Sequence, residues 1–524
     1  MTEPASPELT ALIEPARRLR ERFLADDQRP GYHFALPEDL GVPGDPNGAF
    51  YANGRYHLMY LYNRRGVGFC WGHVSSADLL HWRHHPDALG PGAGDEGCFS
   101  GGAFVDEDGT AYLTYWRLWG EQGIGLARSA DPDYDHWEKW PVSAIPATRF
   151  GVLETTDDAG RPLILACADP SNIWKKDGAY YFQTGNLVVL NEFGRGAQHP
   201  RHAELRGDWV DLFRSTDLKQ WAYVHRFYDR DAADRWTDGS EDDMCPSFLP
   251  LPASAEGGPP SGKHLQLFIA HNRGCQYYVG TYDQAADKFR PEQHGRMSWV
   301  DNTFFAPEAL VDGQGRQIMW AWLLDNPGDE QAELARGWSG VYGLPRLLWL
   351  GEDGTLRLRV PPEFERLRRN PRQWSGLAVA AESRVALAGV NGRSCELWVE
   401  WTPQPGRQAG LVVRASPDGA ESTRLYYEPA EASLVFDARQ SSAAGVGRPV
   451  LEKAPLALAP GERLSLRVFI DQTVIEVFAN DRQAITRRVY PTRPESTGVY
   501  LFSEGGETVF DTAAAWELMA CNPY

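Results

Sequence analysis

The chain of 524 residues is longer than one hydrophobic core usually serves and calls for two or three domains. A formal charge of −19 and a pI near 5.2 argue against nucleic acid or an anionic membrane as partner, since either would repel it. A neutral small molecule or oligosaccharide stays open as substrate, and the 12% aromatic content fits sugar stacking as well as it fits sheet cores.

Residues 1–28 read as an N-terminal helical extension. Leu9, Leu12, Ile13, Ala16, Leu19 and Phe23 recur at three- and four-residue steps, and Ser6 with Glu8 just inside suits a helix start, so a helix is expected over Ser6 to Leu24. The segment has no apolar leader core, and no run of 18 apolar residues occurs later in the chain. The expectation is a cytoplasmic protein with no membrane partner; association into a homo-oligomer is left open. Seven dispersed cysteines without C-x-x-C spacing suggest neither a disulfide framework nor a zinc site.

After Arg29-Pro30 the pattern turns to strands. Residues 49–63, 102–116, 171–185 and 308–322 each read as strand, tight polar turn and strand, which is a hairpin. A second signature recurs with them: Ser76-Ala-Asp-Leu-Leu-His-Trp82 returns as Ser215-Thr-Asp-Leu-Lys-Gln-Trp221 and, more loosely, between Ser129 and Trp137. Such recurrence predicts the radial repetition of a β-propeller, with unrelated hairpins of a sandwich as the alternative. The pattern stops between Pro361 and Trp374, which gives a first large domain at 29–365. Seven or more short strands without helices follow, and residues 375–524 read as a β-sandwich.

Three acidic segments stand in apolar or Gly/Pro contexts, where burial of a carboxylate needs pairing or function to offset it. Asp45 lies in Gly44-Asp-Pro-Asn-Gly48 just before a strand, Asp169 in Cys167-Ala-Asp-Pro170 after an apolar run, and Glu241, Asp242 and Asp243 directly precede Met244-Cys245-Pro246. Each has an ordinary reading as a polar turn. Adjacent like charges raise one another's pKa, which suits a general acid working near neutrality. His81, His84 and His85 resemble metal ligands but read as solvated strand-end residues beside Trp82.

In this order the segments resemble glycoside hydrolase family 32, the invertases, inulinases and levanases. The resemblance rests on Arg29-Pro-Gly-Tyr-His-Phe34, Asp45-Pro-Asn-Gly48, Trp71-Gly-His73, Phe99-Ser100-Gly101, Asp169-Pro170, Cys245-Pro246, Phe305-Ala-Pro-Glu308 and Gly337-Trp338-Ser-Gly340. Further on, residues 466–480 look like the hallmark of the family's C-terminal sandwich. It implies an all-β fold, a five-bladed β-propeller followed by a β-sandwich. It also implies a retaining hydrolase releasing fructose from β-fructofuranosyl sugars with no cofactor and no metal: Asp45 as nucleophile, Asp169 as transition-state stabiliser and an acid/base near Cys245. Asn47, Trp71, Phe99, Ser100 and Trp338 follow as substrate-binding residues.

The departures are specific. Val42-Pro43-Gly44 replaces a Trp-Met-Asn before the nucleophile, Leu61 replaces a Gln, Ala168 stands where an Arg precedes Asp169, and Met244 stands where a Glu precedes Cys245. Glu241 is the expected acid/base for its longer reach, with Asp242 in reserve. Alternatives are a fructosyltransferase, an arabinofuranosidase-like enzyme of the same fold, and a carbohydrate-binding homologue without catalysis.

Overall fold

A computed structural model describes residues 7–36, 41–187, 208–228, 236, 243–324, 338 and 340–522. One helix, Pro7–Ala25, precedes the strands. Its contact with the rest is at the C-terminal end, where Phe23 is buried under the Arg29 guanidinium, 4.5 Å from the ring centroid, and Leu19 packs on the main core. Leu9 and Leu24 stay exposed, so the helix is held by its last turn.

Among the described residues, five antiparallel sheets of four or more strands follow one another in chain order. They start with the strands Gly41–Ala52, Gly97–Cys98, Ala168–Pro170, Met244–Pro252 and Phe304–Val311. Strands near the front of each sheet pack against those of the next, and Phe304–Val311 packs back on Gly41–Ala52, which closes the circuit. A separate hairpin, Val152–Thr156 with Pro162–Ala166, is inserted between the second and third sheets. Two six-stranded sheets beginning at Arg368–Val379 and Ser383–Ala386 then face each other over a core of Leu397, Val399, Leu411, Val413, Leu466 and Val468.

The leading strands share a local device. The register slips at Asn47/Phe50, Ala168/Pro170, Met244/Ser247 and Phe305/Glu308. Within those slips Gly48, Asp169, Cys245 and Ala306 take φ values of 51°, 27°, 49° and 48°. A β-bulge bends its strand and re-aims a side chain. Here it turns one residue out of the pleat in four of the five leading strands.

The sandwich grips the propeller-like part through buried charge. Asp471 accepts hydrogen bonds from the backbone N–H groups of Gly31, Tyr32 and His33 at 2.7, 2.7 and 2.8 Å, and its carboxylate lies 3.0 Å from His33 Nδ1. Glu476 lies 3.1 Å from His33 Nε2 and accepts from Leu344 N at 2.6 Å and Arg346 Nη2 at 3.3 Å. All these side chains are buried. Among the described residues no helix is long and apolar enough to cross a membrane.

Candidate active site

The three Asp/Cys segments picked out by their sequence context meet at one point. Ser100 donates its Oγ–H to Asp45 Oδ2 at 2.6 Å. The Cys245 thiol bridges the two carboxylates, 3.5 Å from Asp45 Oδ2 and 3.4 Å from Asp169 Oδ2. Cys245 N–H also donates to Asp169 Oδ2 at 3.2 Å. The left-handed backbone at Asp169 and Cys245 lets an N–H and a thiol from one bulge reach a carboxylate on another.

Burial sets the electrostatics. It raises the Asp45 carboxyl above its ordinary range, opposed by hydrogen bonds from Ser100 and Cys245 and by the charge of His271. Asp45 nevertheless keeps part of its surface open, whereas Asp169 is 3% exposed. Burial first, and then the charge of Asp45, pushes Asp169 up to about 7. Two buried carboxyls this close hold a proton between them near neutrality, and the first to ionise makes the second harder to ionise. Burial and both carboxylates also keep the Cys245 thiol protonated.

Side chains behind the site fix the strand that carries Asp45. Glu308 accepts from Ala49 N–H at 2.7 Å, and Tyr342 O–H donates to the carbonyl of Gly44 at 3.1 Å. Asn47 is buried; its Oδ1 accepts from Gly101 N–H at 3.4 Å and its Nδ2 has no hydrogen-bond partner among the described residues. Phe99 is half-buried and joins Phe69 and Trp116 in edge-to-face contact at 4.5 and 5.6 Å. Together with Phe305 and Trp322 they pack around Cys245 and Ala168.

Two expected substrate contacts are corrected. Trp71 is fully buried, donates Nε1–H to the Phe99 carbonyl at 3.1 Å, and backs so closely on Gly48 that a Cβ there would come within 3.0 Å of its ring. It supports the pocket wall from behind. Trp338 is 1% exposed, gives its indole N–H to Asp26 at 2.6 Å and lies under the Arg488 guanidinium, 5.3 Å from the ring centroid. It belongs to the core between helix, propeller-like part and sandwich. Of the acid/base candidates, Glu241 and Asp242 lie outside the described residues. Asp243 is fully buried, and its charge acts on the Tyr228 hydroxyl. Met244 is 2% exposed in the apolar wall.

Sequence reasoning missed His271. The pairing of Met244 with Ile269 carries the strand Pro260–Ala270 toward the site, and His271 directly follows its last residue. Its ring meets Phe305 edge-on at 5.8 Å, and its carbonyl accepts from Asn302 Nδ2 at 2.8 Å. Its charge favours ionisation of both Asp45 and Asp169. Ala168 brings no charge beside the pair, whereas the electrostatic influence of His271 reaches both carboxyls from the next sheet. The signal was a histidine in a hairpin turn, which nothing local distinguishes from a solvated one.

Comparison with known proteins agrees with this geometry. The model of the glycosyl hydrolases family 32 N-terminal domain matches residues 33–362, and that of the family's C-terminal domain matches residues 363–517. The chain is 28% identical to "Beta-fructofuranosidase, insoluble isoenzyme 7" of Oryza sativa subsp. japonica, over 94% of this chain and 89% of the relative. It is 27% identical to the sucrose-6-phosphate hydrolase of Zymomonas mobilis, over 100% of this chain and 98% of the relative. The crystal structure of fructan 1-exohydrolase IIa from Cichorium intybus superposes with a TM-score of 0.79 at 22% identity, covering 94% of this chain and 98% of that one. That likeness speaks for the fold.

Proposed function

Because the chain belongs to glycosyl hydrolase family 32, it is a glycoside hydrolase, and we propose that it releases fructose from β-fructofuranosyl sugars by a retaining, two-step mechanism. The relatives named as fructofuranosidase, fructan exohydrolase and sucrose-6-phosphate hydrolase support this substrate class. The observation that carries it is the convergence of Asp45, Asp169 and Ser100 on one point from three separate sheets. We take the five cyclic sheets as the five blades of a propeller, with 29–365 as the catalytic domain, 375–524 as the sandwich and 1–28 as an extension. The seven cysteines, none in a disulfide, support a reducing, cytoplasmic setting.

In this reading Asp45 attacks the anomeric carbon of the furanosyl ring, and Ser100 holds its second lone pair away from solvent. Glu241 protonates the leaving oxygen and then activates the water that releases the sugar with retained configuration. Asp169 strengthens its hydrogen bonds to the ring hydroxyls as positive charge develops there. Phe99, with Phe69 beside it and the buried Trp116 behind, offers an apolar face on which a sugar stacks.

The test is turnover of sucrose, inulin, levan and p-nitrophenyl arabinofuranoside, followed by chromatography of the products. Fructose release is expected, with a loss of about 10³-fold or more in Asp45→Asn. Glu241→Gln is expected to lose about 10²–10⁴-fold. Arabinose release alone would favour the related furanosidase, and chain-lengthened products would favour transfer. Sugar binding without any turnover would leave a binding protein.

A further inference from the structure

The first sheet carries a group of side chains that the hydrolysis does not use. His57, His73 and His85 stand on three consecutive strands, Arg55–Arg64, Gly68–Ser76 and Trp82–Leu89. The register pairs His73 with Met59 on one side and with His85 on the other, so all three share one face. One nitrogen of each lies within 4.8 Å of the others. His57 and His73 are buried, and the His85 side chain is 1% exposed. The expectation that His85 is a solvated strand-end residue is therefore corrected, whereas His81 is exposed and pairs with Asp78.

A single hydrogen bond joins His57 to His73 through the nitrogens that face each other. A neutral imidazole has one donor and one acceptor nitrogen. His57 Nδ1 and His73 Nε2 are 2.9 Å apart, so one ring donates to the other. This leaves an outer N–H on one ring and an outer lone pair on the other. Neither His57 Nε2 nor His73 Nδ1 has a hydrogen-bond partner among the described residues. Burial, helped by the nearby His85 and Arg83, holds both rings far below the ordinary imidazole pKa, His57 at about 3.

His85 has the other half of such a site. Its Nδ1 is 2.5 Å from Asp135 Oδ1, a carboxylate–imidazole pair of the kind that fixes the tautomer and leaves Nε2 to coordinate. Nε2 now meets Ser75 Oγ at 2.7 Å. The cations around the cluster are spoken for: Arg55 donates to Ser75, and Arg83 reaches Asp133 and Asp135 at 3.4 and 3.7 Å.

We propose that His57, His73 and His85 form a binding site for a divalent transition ion that prefers imidazole, zinc foremost. Two nitrogens bound at the usual zinc distance in a tetrahedral shell lie about 3.3 Å apart, so the 2.9 Å pair opens by only a few tenths of an ångström. His85 swings Nε2 from Ser75 to the ion while Asp135 keeps hold of Nδ1, which also relieves its 4.1 Å stack on His73. Three neutral histidines and no thiolate leave the fourth position to water. Hard ions that favour oxygen, such as magnesium and calcium, find too few oxygen ligands here.

The experiment uses the full, untagged chain, stripped with a chelator and dialysed against zinc. Metal analysis is expected to give one zinc per chain, with a rise in Tm on zinc addition and none on magnesium addition. His85→Leu is expected to abolish both, His81→Gln to change neither, and Asp135→Asn to weaken zinc binding about 10–100-fold. Should His85→Leu fail to fold, Asp135→Asn carries the test alone, because it leaves the three rings in place. Zinc absent from the wild-type protein, or bound equally by the His85 or Asp135 variant, would overturn the proposal and leave the cluster as a hydrogen-bonded stack.

Discussion

Asp169 is held in a place that suits a carboxylic acid better than a carboxylate. Its folded pKa of about 7 lies above the ordinary value of 3.8, so its contribution to stability is complete below that lower value and is lost as pH rises toward 7. Asp169→Asn removes this loss, and we expect a protein without turnover that is more stable at pH 8, by on the order of 1–3 kcal/mol, and little changed at pH 4. Denaturant melts at both pH values measure it. His271 acts in the opposite sense, favouring ionisation of Asp45 and Asp169. His271→Gln should therefore move the acid limb of the kcat/KM profile to higher pH, and an unmoved limb would mean that its charge does not reach Asp45. The sequence made Asp45 and Asp169 legible because an acidic residue in an Asp-Pro context before an apolar strand is unusual. It did not separate a Trp that faces sugar from one that props a strand, as Trp71 and Trp338 show, because both roles want a large apolar ring with one donor.

At the scale of elements, the segment that joins Gly97–Cys98 to Ala103–Val105 has no room to spare. A Cβ on Gly101 would stand 2.0 Å from the Thr114 carbonyl oxygen, and one on Gly102 would stand 2.2 Å from Asn172 N. Both obstacles are backbone, so they cannot swing aside. Gly101→Ala is expected to cost about 1–3 kcal/mol and, by displacing Ser100 from Asp45, to lower kcat more than it raises KM; melts and steady-state kinetics check the two halves. The hairpins were readable from alternation and Asp-Gly turns, and the helix from its period, expected at Ser6 to Leu24 and found at Pro7–Ala25. The bulges were not readable, since Asp169, Cys245 and Ala306 are not residue types that announce a positive φ.

For the whole molecule, the carboxylates of Asp471 and Glu476 act as a clasp between sandwich and propeller-like part. Hydrogen bonds from His33 and Thr486 and the charge of Arg346 hold Glu476 below its ordinary pKa against the cost of burial, and both carboxylates hold His33 above its own. The Glu476 contribution is therefore lost as pH falls through its lowered pKa, and the His33 contribution as pH rises through its raised one. Glu476→Gln leaves Arg346 buried without its counter-charge; a loss of about 3–5 kcal/mol is expected, with a flatter acid side to the Tm–pH curve. The all-β class was legible throughout, whereas the clasp was not, because its two halves are 440 residues apart in sequence. That separation has a consequence in time. At about 5–20 residues per second, a ribosome needs roughly 20 to 90 seconds to travel from Gly31 to Asp471. Throughout that interval Gly31, Tyr32 and His33 have emerged without the acceptor that fixes them, and Cys521 and Asn522, whose N–H groups later bond to the Gly31 carbonyl at 2.9 and 3.0 Å, are made later still. The first residues of the catalytic part are thus the last to be locked, and a nascent chain halted short of residue 471 carries a loose N-terminal segment for holdases and proteases to find.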